Sequence, residues 1–145
     1  MKAKTIIFLA ALLLALGVLI GAFGAHGLQK MVEAEKLVTF ETGVRYHFFH
    51  SLGLLAVGII SLIRPQFNNK KTVLFFLAGI ILFSFNCYFY VLTGIKTFAM
   101  IVPLGGVSFI FGWVSLMLGI RKLDQFSMYI FIKKRAKFLW PFFIF

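Results

Sequence analysis

The chain has 145 residues, room for one domain at about 150 residues each, and it is 61% hydrophobic and 13% charged, with a mean hydropathy of +1.00. Soluble domains hold about 45–50% apolar and about 25% charged residues, and disordered chains are poor in aromatic residues, so a composition with 20 Phe points to an integral membrane protein. The net charge of +11 would suit nucleic acid if it formed a stripe on a soluble face, but the basic residues lie between apolar runs, where they set topology and meet anionic head groups.

Four windows reach the about 20 mostly apolar residues that a bilayer core requires: residues 5–25, 46–63, 72–92 and 98–120. None contains Asp, Glu, Lys or Arg. The expected fold is an all-α membrane protein, a four-helix transmembrane bundle over residues 1–122 followed by a tail over 123–145.

The first span follows Lys2 and Lys4, and Ala22-Phe23-Gly24 resembles a signal-peptide cleavage site. Signal cores run to about 7–15 residues, shorter than the apolar stretch from Ile6 to Ala25, so the segment reads as a retained helix. Gly17, Gly21 and Gly24 make a small-residue stripe along it. In the loop that follows, Leu28, Met31, Val32, Leu37 and Phe40 alternate with Lys30, Glu33, Glu35 and Lys36, which predicts a short interfacial helix.

All three histidines lie near one membrane face: His26 after the first span, His47 and His50 at the start of the second. With Glu41 and Arg45 they form a candidate outer polar cluster. If a helix is already present at Glu41, Glu41 and Arg45 are an i,i+4 pair, and His47 and His50 point roughly 140–200° away from Arg45. Glu41 then cannot easily join the two histidines around a metal. The leading expectation is an ion pair between Glu41 and Arg45, with the histidines bonded to loop carbonyls and head groups. A sparse metal or haem site built on the histidines is the competing one.

The third span carries Ser84, Asn86, Cys87, Tyr88 and Tyr90 in one half. Polar groups in a membrane helix face the bundle, so Asn86 is expected to bond across to another helix, and Ser84, Asn86 and Tyr88 are the intramembrane polar candidates. The lone Cys87 excludes an internal disulfide and a Cys-based zinc site. In the fourth span Gly105, Ser108, Gly112, Ser115 and Gly119 recur at spacings of 3, 4, 3 and 4, one continuous helical stripe. Close packing at small residues drives helix association in lipid, and the two striped helices, first and fourth, are expected to pack inside the bundle. Pro103 sits in the first turns of the last span. Beyond it Lys133, Lys134, Arg135 and Lys137 mix with Phe138, Trp140, Phe142, Phe143 and Phe145, a basic aromatic tail suited to adsorbing on an anionic leaflet.

With four spans, both termini and the middle loop share one side. That side holds eleven Lys and Arg residues against four, Lys30, Lys36, Arg45 and Lys96, on the other. The positive-inside rule places the termini in the cytoplasm of a cell-membrane protein.

No span embeds a carboxylate, and the sequence has no phosphate loop, nucleophile elbow or HExxH helix. The expected function is therefore non-enzymatic: a multi-pass protein supporting membrane organisation or homeostasis through lipid or protein contacts. Its expected partners are membrane lipids, anionic head groups at the cytoplasmic face, a second copy or another membrane protein, and no nucleic acid. No metal and no cofactor is assigned. The alternative is a transport or metal- or haem-binding module using the histidines.

The segments Gly21-Ala-Phe-Gly-Ala-His-Gly-Leu28 and Phe40-Glu-Thr-Gly-Val-Arg-Tyr-His47, followed by His50, resemble the small membrane proteins of the domain-of-unknown-function 423 family, which has a eukaryotic branch of small transmembrane proteins. The likeness continues through Leu82-Phe83-Ser84, Tyr88, Thr93-Gly94, Pro103 and Gly105-Gly106, covering residues 1 to about 122. It implies a four-helix membrane bundle and no established reaction. Phe85 stands where the family favours a small residue and Val102 where it favours threonine, which implies a narrower polar cavity here. The tail after Leu123 exceeds the family length.

Overall fold

A computed structural model describes the backbone of residues 1–139 and the side chains of residues 1–123. Four helices are long and apolar enough to cross a membrane: α1 (Ala3–His26), α2 (Ala34–Ile63), α3 (Lys70–Thr93) and α4 (Lys96–Leu139). In lipid every backbone polar group must find its partner within the chain, which a continuous helix achieves. Gly94 closes α3 with a left-handed φ of 72°, a conformation that costs glycine nothing, and the chain turns directly into α4.

The helices stack in chain order. α1 lies on α2, α2 on α3 and α3 on α4, so the inner pair α2 and α3 buries 44% and 50% of its spans against 17% and 28% for α1 and α4. One apolar cluster, including Ile6, Leu54, Val57, Phe76, Ile80, Phe109 and Leu116, fills the half toward the termini; a smaller one, Leu28, Phe40, Tyr88 and Val91, fills the other half. Outward-facing Phe8, Leu12, Leu19, Leu74, Ile81, Ile110 and Met117 are exposed, as lipid contact requires.

Both small-residue stripes face the bundle, although α1 and α4 themselves are its less buried helices. Gly17, Gly21 and Gly24 receive Phe48, Val44 and Phe40 of α2, while Gly105, Gly112 and Gly119 receive Phe83, Phe76 and Phe67 from α3 and the loop before it. Each stripe accepts bulky residues from its sequence neighbour, since the missing side chains leave room for them.

The expected interfacial helix is absent as a separate element. Leu28–Lys30 form a single 3₁₀ turn, and from Ala34 onward the same residues are the first turns of α2. Of their apolar members Leu28 and Phe40 are buried, Val32 and Leu37 are half-buried, and Met31 stays exposed. Helix α4 continues through residue 122 without a break, and the side chains of the basic aromatic tail from residue 124 lie outside the described residues.

Midway along α3, Ile80–Phe85 adopt a π-helical turn. A π turn shifts the backbone hydrogen bonds by one residue and loosens its carbonyls. Asn86 compensates, donating from Nδ2 to the Ile81 carbonyl at 3.0 Å and to the Leu82 carbonyl at 3.1 Å. The expected bond from Asn86 to another helix is thus replaced by two within its own, since the widened turn presents acceptors nearer than any neighbour does. On one flank of the turn Gly105 admits the Leu82–Phe83 backbone, and on the other Gly43 lies against Ser84, Cys87 and Tyr88.

Candidate functional site

The i,i+4 spacing of Tyr46 and His50 on α2, and of Phe109 and Trp113 on α4, puts each pair on one helix face. The two faces meet. The His50 imidazole stacks on Phe109 with ring centroids 3.4 Å apart and an interplanar angle of 11°, and Tyr46 stacks on Phe83 of the π turn at 4.4 Å. Trp113 Nε1–H donates to His50 Nε2 at 3.1 Å, and His50 Nδ1 pairs with the Tyr46 carbonyl at 2.8 Å. An indole nitrogen can only donate, so Nε2 accepts and the ring proton sits on Nδ1, donated to that carbonyl. The ring is neutral and both its nitrogens are committed.

Above this aromatic floor the two helices leave a groove of about 870 Å³ that opens sideways from the bundle. Phe49, Leu52, Ala56 and Ile110 form its walls and Arg45 lines one end. Gly53 also lines it, and there Phe76 and Trp113 approach to 3.0 and 3.3 Å of the place a Cβ would occupy. The groove is largely apolar.

A second polar group lies deeper, between α2 and α3. His47 is 0% exposed and pairs through Nδ1 with the Tyr88 hydroxyl at 3.2 Å. The ring also approaches the Leu13 backbone on α1, yet Nε2 completes no hydrogen bond. Ser51 Oγ and Ser84 Oγ are likewise buried without partners. Gly43 opposite Cys87 and Gly53 opposite Phe76 set an antiparallel register, which places Ser84 level with His47 and Ser51 about one turn away.

The five residues of the expected outer cluster therefore do not form one site. His26 is exposed at the end of α1, and Glu41 and Arg45 are both exposed on α2. Among the described residues no ion pair forms, so the Glu41–Arg45 pair is not closed; the Arg45 side chain lines the groove instead. His47 and His50 bond to Tyr88, Tyr46 and Trp113 inside the bundle, not to loop carbonyls or head groups, because one turn of α2 past Gly43 already lies between helices. Among the described residues no group of three His, Cys, Asp or Glu side chains could hold a metal ion. The aromatic partners Phe109, Trp113, Tyr46 and Phe83 went unnoticed in the sequence. The matching i,i+4 aromatic pairs on two helices were the available signal.

The profile of the family described as "Protein of unknown function (DUF423)" matches residues 20–106. A UPF0382 membrane protein of Staphylococcus saprophyticus is 43% identical over 121 residues, covering 83% of this chain and 99% of the relative. The UPF0382 membrane protein YwdK of Bacillus subtilis is 38% identical over 120 residues, covering 82% and 98%. A UPF0382 membrane protein of Haemophilus influenzae is 37% identical over 102 residues, covering 70% and 82%. No solved structure matches the chain. The chain belongs to the DUF423 family, and it is a four-helix transmembrane protein.

Proposed function

We propose that this DUF423 protein is a non-enzymatic component of the cell membrane that supports bilayer organisation by holding a lipid in the groove between α2 and α4. The observation that carries this is His50. With one nitrogen committed to Tyr46 and the other to Trp113, the groove offers its occupant aromatic and aliphatic walls and, among its lining residues, a single cation at Arg45. An acyl chain fills such a space by close packing, and the guanidinium favours an anionic head group at the same end. The basic end of the bundle faces the cytoplasm by charge asymmetry, so the groove opens into the opposite leaflet.

A diazirine-bearing phospholipid reconstituted with the protein tests this. Cross-links are expected to concentrate on Leu52, Ala56 and Ile110, and Ala56→Trp is expected to remove them. Equal labelling of these residues and of Phe8 and Leu12 on the outer face of α1 would mean annular lipid only and would overturn the proposal. For orientation, Asn68→Cys in a Cys87→Ser background is expected to react with an impermeant thiol reagent only from the cytoplasmic side.

The free Nε2 of His47 is what favours the second reading, a metal- or haem-binding module. Elemental analysis and absorption spectra of the purified protein decide it. Stoichiometric metal or haem that disappears in His47→Gln would replace the lipid reading.

A further inference from the structure

At the basic end a second recess of about 320 Å³ lies between α3 and α4. Its inner walls are Phe75, Phe111, Val114 and Leu118, and its rim carries Lys71 and Lys122. The two lysines are exposed and come from different helices, Lys71 from the first turn of α3 and Lys122 from α4. Both sit immediately beyond an apolar span, where head groups lie. Every acid among the described side chains, Glu33, Glu35 and Glu41, is at the opposite end of the molecule. The remaining acid, Asp124, falls outside those side chains.

Two further polar side chains, Asn68 and Ser115, line the same space. The Ser115 Oγ already accepts a hydrogen bond from Thr72 Oγ1 at 3.0 Å. A hydroxyl has one proton to give, so the Ser115 O–H stays available to an acceptor. Two ammonium groups at the mouth of an apolar slot, with a hydroxyl donor in its wall, match one kind of ligand, an anion joined to a hydrocarbon chain.

We infer that this recess binds an anionic phospholipid of the cytoplasmic leaflet, with its phosphate between Lys71 and Lys122 and one acyl chain along Phe75, Phe111 and Leu118. The inference shares the lipid chemistry of the proposed function but uses different residues and the other leaflet. The ammonium groups act as point charges on flexible stems, so the site selects head-group charge more than head-group shape. The apolar slot below them distinguishes it from a patch that adsorbs any anion.

The experiment is native mass spectrometry of the full chain released from detergent with phosphatidylglycerol or phosphatidylcholine of matched chains, alongside glycerol phosphate as the free head group. Phosphatidylglycerol is expected to be retained preferentially and glycerol phosphate not to be retained. Lys71→Gln and Lys122→Gln are each expected to weaken phosphatidylglycerol binding about fivefold, from about 1 kcal/mol per basic residue near a membrane surface. Lys70→Gln removes the same charge one residue away but does not line the recess, and it is expected to change retention by less than about twofold. Val114→Trp, which fills the slot and leaves the charges, should abolish retention. Equal retention of the two lipids, or equal loss in Lys70→Gln and Lys71→Gln, would overturn the site. Cross-linking with diazirine phosphatidylglycerol separates the two lipid proposals: labels on Phe111 and Leu118 report this recess, and labels on Leu52 and Ala56 report the other groove.

Discussion

The α1–α2 seam and the α3–α4 seam are both built on glycine stripes, yet they are joined differently. On α1, a Cβ at Gly17 or Gly21 would stand 3.3 or 3.4 Å from the Phe48 or Val44 side chain, and only Gly24 is closer, at 2.7 Å from the Phe40 ring. Among the described residues no side-chain hydrogen bond crosses that seam. On α4, Gly105 meets the backbone of the π turn, and a Cβ at Gly112 or Gly119 would stand 2.5 Å from the Phe76 or Phe67 ring. Here two bonds do cross: Ser108 Oγ donates to the Phe75 carbonyl at 2.9 Å and Thr72 Oγ1 to Ser115 Oγ at 3.0 Å. Side chains as short as serine can bridge helices only where the backbones are close, so the deeper glycine groove is also the hydrogen-bonded one.

Gly105→Ala tests the contrast most severely. The colliding atoms belong to the backbone and cannot rotate away, so a loss of about 2–3 kcal/mol is expected, the upper part of the overpacking range. Unfolding by SDS titration in mixed micelles measures it, and a change near zero would erase the distinction between the seams. Gly112→Ala is expected to cost less, about 1–2 kcal/mol, because the Phe76 ring can turn, although Gly53 and Trp113 restrict where it goes. The same titration, with tryptophan fluorescence reporting the Trp113 environment, ranks the two.

Ser108→Ala removes one crossing bond without adding volume and should cost about 0.6 kcal/mol, the average for such bonds in a membrane bundle. A loss as large as that of Gly112→Ala would mean the hydrogen bonds, not the packing, hold the seam. At the bottom of the series, Gly17→Ala should fall within about 0.5 kcal/mol of the parent, since the Phe48 ring yields by a few tenths of an ångström. A cost equal to that of Gly105→Ala would show that the two seams are alike after all.

The sequence by itself determined the four spans, because transfer from water to lipid is a sum over residues that a window of about 20 captures, and it located both small-residue stripes, because a helix period is a local property. It also marked Ser84, Asn86 and Tyr88 as polar groups facing the bundle. Tertiary structure alone decided which partner each stripe accepts, since that choice depends on whether ridge meets groove, and neither helix carries the other's shape in its own sequence. It moved residues 34–40 from an expected surface helix into α2, where Phe40 finds Gly24 and Tyr88. It separated His47 from His50 into two environments, one turn apart on the same helix but opposed to different neighbours. The π turn at Ile80–Phe85 leaves no mark in composition or period, because what stabilises it is the Asn86 amide within α3 and the room that Gly105 and Gly43 give it from outside.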